Sequence, residues 1–415
     1  MAMSSRERML NALTCRPVDH PPCCFIQFTA LESRCRDQLE MADQMLAWGL
    51  DAMIQVPPWL LTVPGDAADV RGLPVAYDPA VRIREWSEQP DGERYPVLHK
   101  DYITPEGVLS VRVSRTEDWP YGDHVPFLDD FIVPRAKKMP ISQPADLAPL
   151  HWLLAPPTRD HVTEFRALAL RLKTYAYRRE LLVSGGVGVG GDMAGWLVGL
   201  QNLIYLAADQ PDFVADVLDM IAVWNRARME VVLEEGVDIW VRRGWYEGCD
   251  FWSPKMYRRF LLPHLKQEVD LAHSAGAKFG YILTANAMPL IDTLLEAGID
   301  VLIGVDPVMG GAILEVLRDK VAGRMCLWGG VNGALTVEQG SPEQIRAAVG
   351  HALDVLAPTN GFILAPVDEV DNLSEQTWNN VQVFIQAWKD WPKLSQSGTR
   401  RVDAENRVDF TLAPV

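Results

Sequence analysis

The sequence predicts an α/β protein: a (β/α)8 TIM barrel with an antiparallel β insertion between its second and third strands. Three observations carry this reading. Short apolar runs nearly free of charge recur along the chain, among them residues 279–283 and 301–305, and such runs suit strands buried on both faces of a parallel sheet. Helix-length segments separate these runs. A Gly-X-Asp signature, as Gly49-Leu50-Asp51, Gly236-Val237-Asp238 and Gly298-Ile299-Asp300, stands between a helical segment and an apolar run, where glycine adopts the left-handed conformation cheaply.

Taken in order, residues 4–13 have helical spacing, the prolines of 17–22 break the chain, and 23–28 form the first expected strand. A helix over 36–48 leads to the second strand, 52–56. Between 61 and 150 the pattern changes to short alternating runs, such as 81–86 and 108–114, divided by Pro-Asp-Gly and Pro-Glu-Gly, which predicts antiparallel hairpins inserted as a cap. Its aromatic end, Trp119, Tyr121 and Phe127 with Asp129-Asp130, either closes over a ligand or packs the insertion's own small core. The remaining strands are expected at 181–184, 237–241, 279–283, 301–305, 325–328 and 362–365. Ser253-Pro254 and Ser341-Pro342-Glu343-Gln344 supply helix starts, the second as a capping box. One barrel domain then spans 1–390, with a polar tail over 391–415.

With 415 residues, 48% of them hydrophobic, the chain is long enough to bury a sizeable core. Its formal net charge of −16 disfavours nucleic acid and anionic membrane surfaces as partners. No apolar run approaches the roughly 20 residues of a membrane span, and the start MAMSSRERML lacks the apolar core of a signal peptide, so the expected location is cytoplasmic. The six cysteines form no CxxC pair and the eight histidines no HxH or HExxH pattern, so no local metal motif is present. Glu247, His264 and Asp368 are distant ligands that only the fold can bring together.

In parallel α/β proteins chemistry is done at the carboxyl ends of the strands. There the sequence places Phe28, Pro57, the glycines of GGVGVGGD (185–192), the run Arg242 to Glu247, Thr284, Asn286, Asp306, Asn332 and Asp368. The glycine run meets GxGxxG spacing at Gly186, Gly188 and Gly191 but has no convincing acidic residue about twenty positions on, so it is a weak dinucleotide signal. Arg242 and Arg243 either anchor an anionic substrate, with Trp245, Glu247, Thr284, Asn286 and Asn332 completing the binding set, or pair with acidic groups of the protein. Asp306 and Asp368 are candidate catalytic carboxyls, Asp306 alternatively a turn cap. Tyr246 and Tyr281 are candidate acids, and the direction of the Tyr281 ring cannot be read from its place in a strand.

The blocks RERMLNAL, RPVDHPP, WGLDAMIQVP, SPKMYRRFLLPHLKQEVDLAHSAGAK, MPLIDTLLEAGIDVLIGVDP, LWGGVN and NGFILAPVDE, in this order over roughly residues 4–390, resemble the uroporphyrinogen decarboxylase superfamily, in particular its cobamide-dependent methyltransferase branch. The resemblance implies a (β/α)8 barrel. Thiol-acting methyltransferases of that branch bind zinc through His-x-Cys and a later Cys, whereas Ile282-Leu283-Thr284 and Asp368 stand at those positions here. The arginine and acidic pattern of the decarboxylase proper is not recognisable around 23–28. The resemblance therefore implies an O-demethylase-like methyltransferase. It would take a methyl group from a small methoxylated substrate, aromatic and carboxylate-bearing, to a corrinoid or tetrahydrofolate carrier. Tyr281, Tyr246, Asp306 or an unrecognised metal would assist the leaving oxygen, and a corrinoid carrier protein or a second copy of the chain would be partners. Alternatives are a cofactor-free decarboxylase and a non-catalytic barrel that only binds a ligand or partner.

Overall fold

The computed structural model describes residues 2–57 and 77–396. Eleven strands are assigned among them, β1 (Met53–Val56), β2 (Arg82–Glu88), β3 (Val97–Thr104), β4 (Gly107–Ser114), β5 (Ala136–Lys138), β6 (Leu182–Gly188), β7 (Ile239–Arg243), β8 (Lys278–Ile282), β9 (Val301–Val305), β10 (Cys326–Asn332) and β11 (Phe362–Val367). Seven make one curled parallel sheet in the order β1-β6-β7-β8-β9-β10-β11, and β2 to β5 make a separate antiparallel sheet. The short apolar runs explain the first, because β6, β7, β9, β10 and β11 are buried at every residue.

The Gly-X-Asp turns are built as the sequence predicts, with Gly49, Gly236 and Gly298 at φ of 78°, 72° and 81°. The aspartate of each also ties two neighbouring segments together. The amides of Asp51, Asp238 and Asp300 donate to the carbonyls of Cys23, Val183 and Phe279. Their carboxylates accept the amides of the same three residues at 3.1, 2.9 and 2.8 Å. Cys23 thus occupies, beside β1, the place that Val183 and Phe279 occupy in continuous strands.

The expected first strand departs from the prediction. Residues 23–28 make only isolated parallel bridges, Cys23 to Leu364 and Gln27 to Glu369, so the parallel sheet has seven strands rather than eight. The segment still bonds to both sheet edges, since Cys24 donates to Leu364 and Asp51 to Cys23. Pro22 before it, which has no N–H to donate, still accepts the Leu364 amide through its carbonyl.

The insertion turns at Pro90-Asp91-Gly92 and Pro105-Glu106-Gly107, and its aromatics pack internally, Phe127 edge-on to Tyr102 and Tyr77 at 5.6 and 5.7 Å. Residues 61–76 of it lie outside the described residues, as does the tail beyond 396. The last described helix runs Glu375–Gln396, past the expected boundary at 390. No helix among the described residues is long and apolar enough to cross a membrane.

Candidate active site

Successive residues of a strand face opposite sides of its sheet, and at the end of β7 this separates the two arginines. A Cβ on Gly280 would touch the side chains of Ile239 and Ile303, which places alternate residues of β7, β8 and β9 on the inner side of the curl. Arg242 and Tyr281 are on the outer side, against the helices. Arg242 is 1% exposed and pairs with Glu247 and Glu268, both at 3.0 Å. Tyr281, fully buried, donates to Glu247 and receives a hydrogen bond from Tyr257 at 3.2 Å. Burial alone would lower the Arg242 pKa, but Glu247 and Glu268 outweigh it and hold the guanidinium charged. Burial and the Glu247 carboxylate push the Tyr281 phenol well above its usual range. This cluster is a buried charge network between sheet and helices, and neither Arg242 nor Tyr281 lines the strand-end cavity.

The glycines of 185–192 serve the same network. β6 continues through Gly188, so the run is largely strand and not a phosphate loop. A Cβ on Gly190 would stand 1.9 Å from the Arg242 guanidinium, and one on Gly191 would stand 2.9 Å from the Glu247 side chain. At Gly186, φ is +114° and a Cβ would meet the Val241 carbonyl at 2.3 Å. Close approach of the protein's own groups accounts for these glycines.

Arg243 faces the strand-end side and is held by two carboxylates through Nε and Nη2, while its buried Nη1 has no hydrogen-bond partner among the described residues. Its Nε donates to Asp192 at 2.6 Å and its Nη2 to Asp130 of the insertion at 2.8 Å, and it is stacked between Trp196 and Trp245 at 4.4 and 4.2 Å. Asp192 also accepts the amides of Trp245 and Tyr246; burial raises its carboxyl to about 6 against the pull of Arg243. The Tyr246 hydroxyl donates to Asp130 at 2.8 Å, and burial followed by that carboxylate raises its pKa. Both arginines are therefore matched by two carboxylates each, and neither offers an uncompensated positive charge to a substrate carboxylate.

Beside this network, at the carboxyl ends of β8 to β11, lies a cavity of about 300 Å³ counting the space open to solvent. Ile26, Gln27, Trp245, Ile282, Thr284, Ile303, Trp328 and Asp368 are among its lining. Asp368 is its one ionisable group. It sits at the mouth in a left-handed conformation, φ +61°, and accepts the Trp245 indole N–H at 3.2 Å. Burial, followed by repulsion from Asp306, raises its carboxyl to about 6 although that indole opposes the shift. Asp306, 1% exposed, accepts the amides of Val308 and Met309 on one oxygen and Asn332 Nδ2 at 2.7 Å on the other. It is thus a turn cap held by Asn332. Asn286 is exposed and donates to Asp250 at 3.0 Å, outside the cavity lining.

Of the expected residues, the cavity gathers Trp245, Thr284 and Asp368. It does not gather Arg242, Glu247 or Tyr281, and Phe28 is buried among Phe25, Trp48 and Trp378. Gln27, Ile303 and Trp328 were missed as lining residues; Trp328 stands in the LWGGVN block, which was the available signal. Ile282, Thr284 and Asp368, which stand at the zinc-ligand positions of the resembling methyltransferases, do converge on this one cavity. They offer a hydrocarbon, a hydroxyl and a carboxylate, whereas zinc takes about four N, S or O ligands. Among the described residues no group of three His, Cys, Asp or Glu side chains can hold a metal ion, so Glu247, His264 and Asp368 form no such set.

A curled parallel sheet carrying a strand-end cavity defines the class, and sequence defines the family. A family model described as uroporphyrinogen decarboxylase (URO-D) matches residues 116–391, and the chain belongs to that family. No curated protein matches the chain in sequence. Among solved structures, a methyltransferase from Methanosarcina mazei is 16% identical, with 94% of this chain and 99% of that chain covered and a TM-score of 0.57. That likeness is one of fold. D-psicose 3-epimerase from Clostridium cellulolyticum H10, 12% identical over 56% of this chain and 83% of that one, has a TM-score of 0.35 and bears on nothing further.

Proposed function

We propose that the chain is a demethylating methyltransferase, which takes a methyl group from a small donor held in the Trp245–Asp368 cavity and passes it to a corrinoid or tetrahydrofolate carrier. The observation that supports this best is the cavity, where positions aligned with the zinc ligands of the methyltransferase branch converge but carry Ile282, Thr284 and Asp368. Without zinc to activate a thiol acceptor, the reading favours a carrier that brings its own nucleophile. The methyl carbon gains a bond from the carrier's electron pair as its bond to the leaving atom breaks. The protein's part is to hold the donor, exclude water and meet the charge that changes on the leaving atom.

The carboxylate-bearing aromatic donor expected from sequence loses its anchor, since Arg242 and Arg243 are already paired. The cavity's small size, about 300 Å³ even when the space open to solvent is counted, also disfavours a tetrapyrrole held within it. Incubation with methoxybenzoates, methylated amines and thioethers, each with reduced cobalamin or tetrahydrofolate, is expected to give methylated carrier with at least one donor class. No transfer from any donor, together with carrier-independent CO2 release from carboxylated candidates, would replace this reading with that of a lyase.

A further inference from the structure

The donor class follows from what the cavity offers. Its walls are mainly hydrocarbon and indole, from Ile26, Ile282, Ile303, Trp245 and Trp328, with Gln27 and Thr284 as neutral polar groups, and its single ionisable side chain is acidic. Arg243, stacked on the Trp245 ring, is matched by Asp130 and Asp192 and lends no net positive charge. The other charged groups acting on Asp368 are Asp306 and Glu369, both acidic. Aromatic faces with a carboxylate at the rim are the arrangement that recognises an onium ion, whose weakly hydrated methyl groups lie on π faces while its charge is met by the anion. A neutral ether gains nothing from that field and an anion is repelled by it.

We propose that the methyl donor is a cation, a quaternary methylammonium compound, with Asp368 as its counter-ion and Trp245 and Trp328 as its aromatic walls. This rests on the methyltransferase reading for its chemistry but not for its binding. In the reaction the N–CH3 bond breaks with its electron pair left on nitrogen, giving a neutral tertiary amine. The methyl carbon is bonded instead through the electron pair of a reduced corrinoid acceptor, and no proton changes hands. The carboxyl of Asp368, raised to about 6, then has to be ionised. An ether donor would require the opposite, a protonated carboxyl giving its proton to the leaving oxygen.

Calorimetric binding to the whole chain tests this without any carrier. Choline, its uncharged carbon isostere 3,3-dimethyl-1-butanol and 4-methoxybenzoate are compared from pH 5 to pH 8. Choline is expected to bind at least tenfold more tightly than either, and to gain affinity as pH rises through about 6. Asp368→Asn, which keeps a residue that tolerates the left-handed conformation, is expected to remove both the preference and its pH dependence. Equal binding of choline and its isostere by the wild type, or tighter binding of the benzoate, overturns the proposal. Choline selectivity without methyl transfer to any carrier would sink the methyltransferase reading and the donor role with it, and leave the cation site standing. Methyl transfer from ethers alone, with no choline selectivity, would do the reverse.

Discussion

Arg242 and Arg243 show how much a single residue's neighbours decide. They are adjacent in sequence and alike in chemistry, yet alternation along β7 sends one to the helix layer and the other to the strand ends. Their partners, Glu268 on one side and Asp130 and Asp192 on the other, are too far away in sequence to be inferred from spacing. The direction of Tyr281 was hidden for the same reason, as the partner that seals it, Tyr257, is on a separate helix. Removing one member of a buried ion pair leaves an uncompensated charge and costs roughly 3–5 kcal/mol. Arg242→Met, which leaves Glu247 and Glu268 facing each other, is expected to lose about that much in urea unfolding; a loss below about 1 kcal/mol would mean that the arginine is free to serve a ligand. Asp368 should behave in the opposite sense. Its folded pKa of about 6 lies above the ordinary value near 3.9. Its contribution to stability is thus complete below about pH 4 and is lost as pH rises through 6. Asp368→Asn is therefore expected to melt at or above the wild-type temperature at pH 8, and close to it at pH 4. A clear drop at pH 8 would show that the carboxylate is structural.

At the scale of elements, the strands that could be read from sequence were those whose burial on both faces leaves an uninterrupted apolar run, and those announced by a Gly-X-Asp turn. The segment 23–28 has the apolar run without the regular ladder, because pairing depends on two sheet edges far away in the chain. β6 is the converse case. Its glycines suggested a loop for a ligand, but the groups that approach them are the protein's own, from β7, the turn after it, and Val232 and Val237 before it. Gly186→Ala and Gly190→Ala should each lower the melting temperature sharply, since the added methyl meets the Val241 carbonyl at 2.3 Å and the Arg242 guanidinium at 1.9 Å. ATP and NAD should not raise the melting temperature of the wild type. Protection by either, which mass action would produce if it bound the folded state, would restore the glycine run to a nucleotide site.

At the scale of the whole molecule, the inserted sheet and the parallel sheet are joined next to the cavity by one carboxylate. Asp130 accepts from Arg243, from the Trp196 indole at 2.8 Å and from the Tyr246 hydroxyl at 2.8 Å. The insertion has its own core, in which Leu98, Tyr102, Val111, Val113 and Phe127 are buried, so its strands do not need this latch to persist. The segment running from Trp119 to Arg135, by contrast, reaches the strand ends largely through it. Hydrogen bonds to charged groups contribute about 1.5–3 kcal/mol, and 1.4 kcal/mol corresponds to a factor of ten in an opening equilibrium. In Asp130→Asn, which keeps one acceptor and removes the charge that answers Arg243, amide exchange over 119–135 should rise at least tenfold while exchange in β3 and β4 stays within a factor of two or so of wild type. If the whole insertion instead exchanged faster, the sheet would depend on its dock for stability. If nothing changed, the contact between insertion and strand ends would be carried by packing alone, and the charge on Asp130 would have no part in holding the insertion there.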